Sequence, residues 1–487
     1  MIGFFANMEK FYISTAIAYV NAPPHIGHAL EFTQADAIAR YFRKMGRDVF
    51  FLTGTDEHGM KIQQTAREKG IAPIELADEN AGKIRALCDK LQMSYDHFIR
   101  TSEEYHKKGV QKIWEKIDEA GKFYEKEYEG LYCIGCEAFV LEKDLVDGLC
   151  PNHQKPPEKL KEKNYFFKLS DYSDAIREKI KSGELKILPE SKKKEFLSFM
   201  EDGLSDVSFS RPKKTLEWGV LVPGDPDQVM YVWCDALSNY ITGVGYGGNE
   251  ENLKYWPADV HLIGKDIMRF HCGIWIGMLM AAGLELPKAI YIHGFITSEG
   301  KKMSKSLGNV VDPMEVLEKW GVDALRYYLL REIPTADDGD FSRERFEIIY
   351  REELANTIGN LVRRVAAMVQ KYFDGKVPEG NSEVGGQCDE ECEKFRNGME
   401  SFNIKVAIEA ALRLAQNANA YVEQNKPWEL AKNHPERLSV VMGNLVFICR
   451  ELAEMLEPII PETSAKIKKS IGGDQVQVGE PLFPSIE

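Results

Sequence analysis

Apolar positions follow two rhythms along the chain. Early on, short unbroken apolar runs alternate with helical spacing. Residues 11–17 and 48–53 are such runs and read as buried strands. Between them, behind the turn at Pro23-Pro24, Leu30, Ala37, Ile38, Tyr41 and Phe42 recur at helical intervals across 27–45. A second helical stretch covers 61–93, with breaks at Gly70 and Pro73. Strand, helix, strand is the unit of a parallel sheet with right-handed crossovers. From 123 to about 168 the rhythm dissolves into Tyr, Cys, Gly and Pro with short apolar runs, as in a small metal-stapled insertion. The strand pattern resumes at 230–234, 260–263 and 289–292, so one sheet is interrupted and then completed. After about 340 no strand pattern remains. Residues 343–372, 404–424, 428–432 and 437–456 read as helices, and the Gly-rich acidic stretch 375–392 as a solvated connection.

Charge narrows the class of partner. The 76 acidic residues outnumber the 62 basic ones, a net charge of −14. That excludes attraction to nucleic acid by bulk charge, which needs basic surface to displace counterions. It leaves local basic tracks open, with candidates at 192–194, 213–214, 301–305, Arg351 and 363–364. No run approaches the ~20 apolar residues of a membrane span, and the first six residues lack the pattern of a secretory leader. The nine cysteines are spread and odd in number, unlike a disulfide scaffold. A cytoplasmic location is expected.

Three motifs carry chemistry. Cys133-x-x-Cys136, thirteen residues, then Cys150-x-x-His153 offers three thiolates and an imidazole in two knuckles, a closed set suited to one tetrahedral structural zinc. Cys388 and Cys392 have no second pair nearby and read as incidental. Pro24-His25-Ile26-Gly27-His28 lies between a strand and a helix, where a helix N-terminus suits phosphate and Gly27 admits close approach. Alone it reads equally as two capping histidines. Lys301-Lys302-Met303-Ser304-Lys305-Ser306 places lysines three apart on a polar loop, fit to clamp charge that builds at a phosphate under in-line attack. Alone it reads as a solvated basic loop.

Together, the last two motifs resemble the signature of class I aminoacyl-tRNA synthetases. The segments Ala16-Ile17-Ala18-Tyr19-Val20-Asn21, Thr55-Asp56-Glu57-His58-Gly59, Tyr231-Val232-Trp233-Cys234-Asp235-Ala236 and Ile263-Gly264-Lys265-Asp266-Ile267 narrow the resemblance to the methionyl-tRNA synthetases, in their compact bacterial form. The resemblance spans nearly the whole chain. It implies an α/β fold, a split Rossmann-type parallel-sheet catalytic domain with a zinc-bearing insertion, followed by an all-α helical bundle. The expected boundaries are 1–120 and 226–295 for the catalytic halves, 121–225 for the insertion, 296–342 for the lysine-motif loop and linker, and 343–487 for the anticodon-binding helices. Ser14-Thr15-Ala16 at the first strand's end counts against the cysteinyl enzymes, which carry a zinc-ligating Cys there. The length leaves no room for the editing insertion of the branched-chain enzymes.

The resemblance also implies roles. Methionine would be held by Ile17, Tyr19, Asp56, Trp233, Ala236, Leu237, Tyr240, Ile267 and His271, with Asp56 on its ammonium group. A thioether packs well against aromatic rings. Spacing alone reads Trp233 and Tyr240 as core aromatics. Asp56-Glu57-His58 has the makings of a metal or acid–base site, but activating an already charged carboxylate needs positioning rather than a base. ATP, bringing magnesium, would be held by His25, Gly27, His28, Glu31, Gly264, Asp266, His293, Ile296 and Ser306, with Lys302 and Lys305 stabilising the transition state. Arg211 would lie near the adenylate or the tRNA acceptor end. Asn360 and Arg364, one helical turn apart, and Trp428 would read the anticodon of tRNA(Met), although core Trp and ion-paired Arg are the ordinary readings of such residues. The chain stops at Glu487, short of the tRNA-binding module that some relatives carry. A monomer is expected, with a separate chain supplying that module as the alternative.

Overall fold

The leading apolar runs are parallel strands. In chain order the structure runs β1 (Lys10–Thr15), β2 (Ala18–Tyr19), α1 (Ile26–Lys44), β3 (Asp48–Asp56), α2 (Met60–Lys69), α3 (Pro73–Lys90), β4 (His97–Arg100) and α4 (Glu104–Glu119). Next come β5 (Phe123–Cys133), β6 (Ala138–Val140), β7 (Glu158–Phe167), α5 (Ser173–Ser182), β8 (Lys186–Leu188), α6 (Glu190–Phe199), β9 (Val207–Ser208), β10 (Ser210–Pro212), β11 (Leu221–Val222) and β12 (Asp225–Met230). Then follow α7 (Val232–Leu237), α8 (Asn239–Thr242), β13 (Val260–Gly264), α9 (Ile276–Ala281) and β14 (Ala289–His293). This computed structural model describes residues 9–140, 142–151, 154–300 and 310–484. It divides into two units: Met1–Pro24, Arg47–Leu87 and Tyr95–His293; and His25–Gly46, Cys88–Ser94 and Gly294–Glu487.

The first unit is built on a seven-stranded sheet ordered β2-β3-β1-β13-β14-β8, with β4 also on β3. Every pairing in it is parallel. β13 and β14 are buried throughout, as expected of parallel strands covered on both faces. From β1 the chain moves to β3 on one side, while β13 pairs with β1 on the other and leads to β14. Between β1 and β13 the winding reverses, and the crevice at the strands' carboxyl ends is where open α/β sheets bind ligands. The chain leaves β1 there through Ala16, whose N–H bonds Leu262 O at 3.0 Å. The core beneath joins Tyr12, Leu52, Ile113, Trp275 and Ile290.

The insertion forms an antiparallel sheet, β6-β5-β7-β9, and a second small one, β10-β12-β11. The long β5–β7 pairing runs from Phe123↔Phe167 to Tyr132↔Glu158 and ends in the first cysteine knuckle. Two expectations change here. β8, from within 121–225, is an edge strand of the main sheet, so that stretch is not wholly an insertion. Residues 230–234 do not resume the sheet: β12 ends at Met230 and Val232 begins helix α7. A short buried apolar run fits either state, and tertiary packing chose.

The second unit contains α1, the parallel pair β15 (Ile296–Ser298) and β16 (Gly339–Phe341), and helices α10 (Pro313–Trp320), α11 (Val322–Arg331), α12 (Arg343–Ile349), α13 (Asn360–Phe373), α14 (Gly385–Glu400), α15 (Ile404–Asn425), α16 (Pro427–Asn433), α17 (Pro435–Leu456) and α18 (Pro461–Ile471). A π-helical stretch, Tyr350–Gly359, joins α12 to α13, so the helical pattern over 343–372 is one run. The expected connection at 375–392 is shorter than read, because α14 begins at Gly385 and buries Cys388, Phe395 and Met399 along one side. Arg326 on α11 is fully buried; it pairs with Asp36 at 2.7 Å and also donates to the carbonyls of Ile459, Leu91 and Pro458. Burial alone would raise the Asp36 carboxyl, but Arg326 and Arg40 hold it low. Among the described residues no helix is long and apolar enough to cross a membrane.

Candidate active site

Within the first unit, residues expected around methionine come from four places: the end of β1, the turn after β3, α7 with α8, and the helical segment after β13. Trp233 stacks face to face on Phe270, with centroids 3.8 Å apart and planes 5° apart, and lies edge-on to His271 at 6.2 Å. Its buried indole N–H has no partner among the described residues. Tyr240 is buried and its hydroxyl lies 2.6 Å from His271 Nε2. His271 Nδ1 lies 2.9 Å from Ile267 O. A carbonyl only accepts, so Nδ1 carries the proton and Nε2 accepts from Tyr240. Burial pulls His271 down to about 4, keeping the ring neutral. The Tyr240 proton is thus committed to His271, and the pocket wall there is polarisable rather than donating.

The turn after β3 divides its three polar residues by task. Glu57 is fully buried, held by Arg100 Nε and Nη2 at 2.6 and 2.9 Å, with hydroxyl donors Thr55 and Ser102. His58 Nδ1 lies 2.6 Å from Asp235 Oδ2. Of these three, Asp56 keeps a buried carboxylate oxygen with no partner among the described residues. Burial first, and the nearby Asp235 charge second, raise its carboxyl well above the ordinary value. A cation beside it would reverse both penalties. Glu57 and His58 are thus tied into the framework, while Asp56 keeps one oxygen unpaired among the described residues.

Tyr19 connects this wall to the cysteine knuckle. Its hydroxyl donates to Glu137 Oε1 at 2.9 Å, and Glu137 also accepts from Tyr132 at 2.8 Å and from the Lys61 N–H. Gly59, at φ +115°, is needed here, since a Cβ would meet Tyr19 Oη at 2.7 Å and Glu137 Oε1 at 3.0 Å. Arg211 is 1% exposed, ringed by Tyr132, Phe139 and Tyr231 at 4.9–5.1 Å, and donates to Ser208 and Ser210. Enclosed in that way it exposes almost no surface, and its charge partly offsets the burial that raises the Glu137 carboxyl. Neither Glu137 nor its role was visible in the sequence, where it is one acid beside a cysteine.

Cys133, Cys136 and Cys150 converge, with sulfurs all within 4.8 Å of one another and Cys136 to Cys150 at 3.5 Å. Tetrahedral zinc with ~2.3 Å bonds sets its thiolates about 3.8 Å apart, so the three fit that ion. His153 lies outside the described residues, as do Lys302, Lys305 and Ser306.

In the second unit, His25 caps α1. Its Nδ1 accepts from Gly27 N at 3.1 Å, and His28 Nδ1 accepts from His25 N at 3.2 Å. In the neutral rings the proton then sits on Nε2, leaving an N–H to donate. Burial lowers both, His28 to about 3 with His25 adding to the effect, so each is neutral near pH 7. Gly27 makes room for the His25 ring, whose Cε1 would lie 2.8 Å from an added Cβ. Ile296 lies beside that same position at 3.6 Å, and Glu31 follows one turn on. In the first unit, Gly264 closes β13 next to Asp266, with His293 nearby at the end of β14. On the helices, Asn360 opens α13 exposed, Arg364 pairs with Glu423 at 2.8 Å, and Trp428 on α16 is 38% exposed. Of the basic track, Lys192, Lys193 and Arg351 each pair with a neighbouring glutamate.

A parallel sheet whose winding reverses beside a buried aromatic wall, with a histidine-capped helix in the chain after the first strand, places the chain among class I aminoacyl-tRNA synthetases. The family described as "tRNA synthetases class I (M)" matches residues 11–159 and 153–366, and the "Anticodon binding domain of methionyl tRNA ligase" matches 374–482. The chain belongs to the methionyl-tRNA synthetase family. It is 44% identical to a methionine–tRNA ligase of Caldanaerobacter subterraneus over 98% of this chain and 79% of that one. It is 43% identical to one of Brucella suis over 98% of both. A solved structure of Mycobacterium tuberculosis methionyl-tRNA synthetase in complex with methionyl-adenylate, 38% identical, superposes with a TM-score of 0.93 over 98% of this chain and all of that one. The apo form of that protein gives 0.86 at 35% identity, over 99% of both.

Proposed function

We propose that this methionine–tRNA ligase works through the residues described above. The carrying observation is the buried oxygen of Asp56 that has no partner among the described residues, close enough to feel the charge of Asp235 on the helix that carries Trp233. The methionine ammonium group pairs with Asp56, and the thioether lies among Trp233, Tyr240 and His271, with Ile17, Tyr19, Ala236, Leu237 and Ile267 completing the wall. The methionine carboxylate attacks the α-phosphorus of ATP, the bond to pyrophosphate breaks, and methionyl-AMP remains. The neutral Nε2–H groups of His25 and His28 donate to phosphate oxygens, and Gly27, Glu31 and Ile296 share the contact. Gly264, Asp266 and His293 are further ATP contacts. Lys302, Lys305 and Ser306 hold the charge that develops on the leaving group. The terminal ribose hydroxyl of tRNA(Met) then attacks the acyl carbon and AMP leaves.

Magnesium would arrive with ATP. One zinc on Cys133, Cys136, Cys150 and His153 would staple the knuckle without entering the reaction. Asn360, Arg364 and Trp428 would meet the anticodon. Location in the cytoplasm and action as a monomer complete the reading. The test is amino-acid-dependent ATP–pyrophosphate exchange. Methionine should support it at least about a hundredfold better than any other standard amino acid. Equal support by leucine or cysteine would overturn the assignment of the pocket.

A further inference from the structure

The methionine wall contains a buried charge arrangement that the reaction does not use. Asp235 on α7 is 1% exposed and holds an imidazole on each oxygen: His58 Nδ1 at 2.6 Å and His106 Nε2 at 2.9 Å. His58 follows Asp56 in the turn after β3. Asp235 lies between Trp233 and Ala236. His106 comes from α4, which carries none of the expected pocket residues, and it is fully buried with its Nδ1 2.7 Å from Thr242 Oγ1 on α8. Burial would raise the Asp235 carboxyl, but the two histidines hold it down to about 2, so it is ionised.

A second observation shows that α4 is built to reach this depth. Gly109 lies one turn beyond His106, and a Cβ there would meet Thr242 Cγ2 at 2.4 Å and Tyr246 O at 2.7 Å. Any side chain at 109 would lift α4 from α8. No motif marks this in the chain, since His106 and Gly109 stand in an ordinary amphipathic helix.

We propose that His106 is a positioning residue for methionine: acting through Asp235, it locks the Asp56 turn and helix α7 into one rigid wall of the amino-acid pocket. Asp235 then fixes two pocket elements at once. One oxygen sets the turn that carries the ammonium reader, and the other anchors α7, with Trp233, to the body of α4. Loss of His106 leaves one carboxylate oxygen buried and unpaired, and frees α7 to shift against the turn. The inference rests on the assignment of this wall to methionine.

Calorimetric binding of methionine, with KM values from pyrophosphate exchange, tests it. For His106→Asn, whose amide is too short to reach Asp235, the methionine Kd and KM should rise about tenfold while the ATP KM stays within twofold. His106→Gln, with a longer amide N–H, should restore methionine binding to within threefold of wild type. Gly109→Ala should reproduce the selective loss. In an Asp235→Asn background, His106→Asn should add little, since its effect passes through Asp235. A methionine Kd unchanged in His106→Asn, or a loss shared equally by ATP and not rescued by Gln, overturns the proposal. Trp233→Ala separates the two claims. If it binds methionine like wild type, the wall assignment itself falls and the clamp with it.

Discussion

The proposed methionine pocket in the first unit and the proposed anticodon residues in the second use polar groups in opposite ways. In the pocket, Glu57, His58, Asp235, His106, Tyr240 and His271 are buried, and each is held by a partner. On the helices, Asn360 is exposed, Arg364 is half-buried in an ion pair with Glu423, and Trp428 shows over a third of its surface. A small apolar amino acid offers few handles, so a site for it gains selectivity by fixing most of its charged groups beforehand and leaving one carboxylate oxygen for the ligand. An RNA loop brings its own polar edges and stacking faces, so the surface that meets it keeps groups that can change partner. One region is costly to disturb at rest, the other only when RNA is bound.

The largest effect should come from the framework. Glu57→Ala leaves the partly buried Arg100 guanidinium with the exposed Asp78 in place of its buried partner, and should cost about 2–3 kcal/mol of stability by urea unfolding. A loss under 1 kcal/mol would erase the contrast with the surface. Next comes a pH dependence. Ammonium pairing needs ionised Asp56, whose carboxyl is raised by burial and by Asp235. Methionine affinity should therefore fall with falling pH, by up to about tenfold per unit below that raised value. Asp235→Asn removes the second cause and should move the onset to lower pH. On the helices, Trp428→Ala should lower kcat/KM for tRNA(Met) by about tenfold to a hundredfold, the worth of one stacked base, and leave methionine-dependent pyrophosphate exchange unchanged. Smallest is Arg364→Ala, an exposed pair whose loss should change stability by under about 1 kcal/mol.

Much of the fold was legible because its central strands are continuous apolar runs. β1, β3, β13 and β14 lie within a few residues of where the periodicity puts them, as do α1, α15 and α17. Short elements were not. β8 is three residues long with one of them fully buried, and only its pairing with β14 makes it a strand. Helix α7 was read as strand because Val232 to Leu237 is too short for either period to show. In the site, residues inside motifs were found, while those that hold them were not. Glu137, His106 and Gly109 act across the chain, and nothing local to them records a partner more than seventy residues away, as Tyr19 and Thr242 are. The setting of Arg211 is hidden for the same reason, since a lone arginine in sequence does not show three rings closing over it.

In the proposed site, Asp56 keeps a buried carboxylate oxygen, unpaired among the described residues, for the methionine ammonium group. Calorimetric titration of methionine into the wild-type chain and into Asp56→Asn tests it directly. Wild type should bind one methionine per chain, and Asp56→Asn should bind at least about thirtyfold more weakly, the lower end of what losing one side of a buried charge pair costs. Binding by Asp56→Asn within threefold of wild type would contradict it.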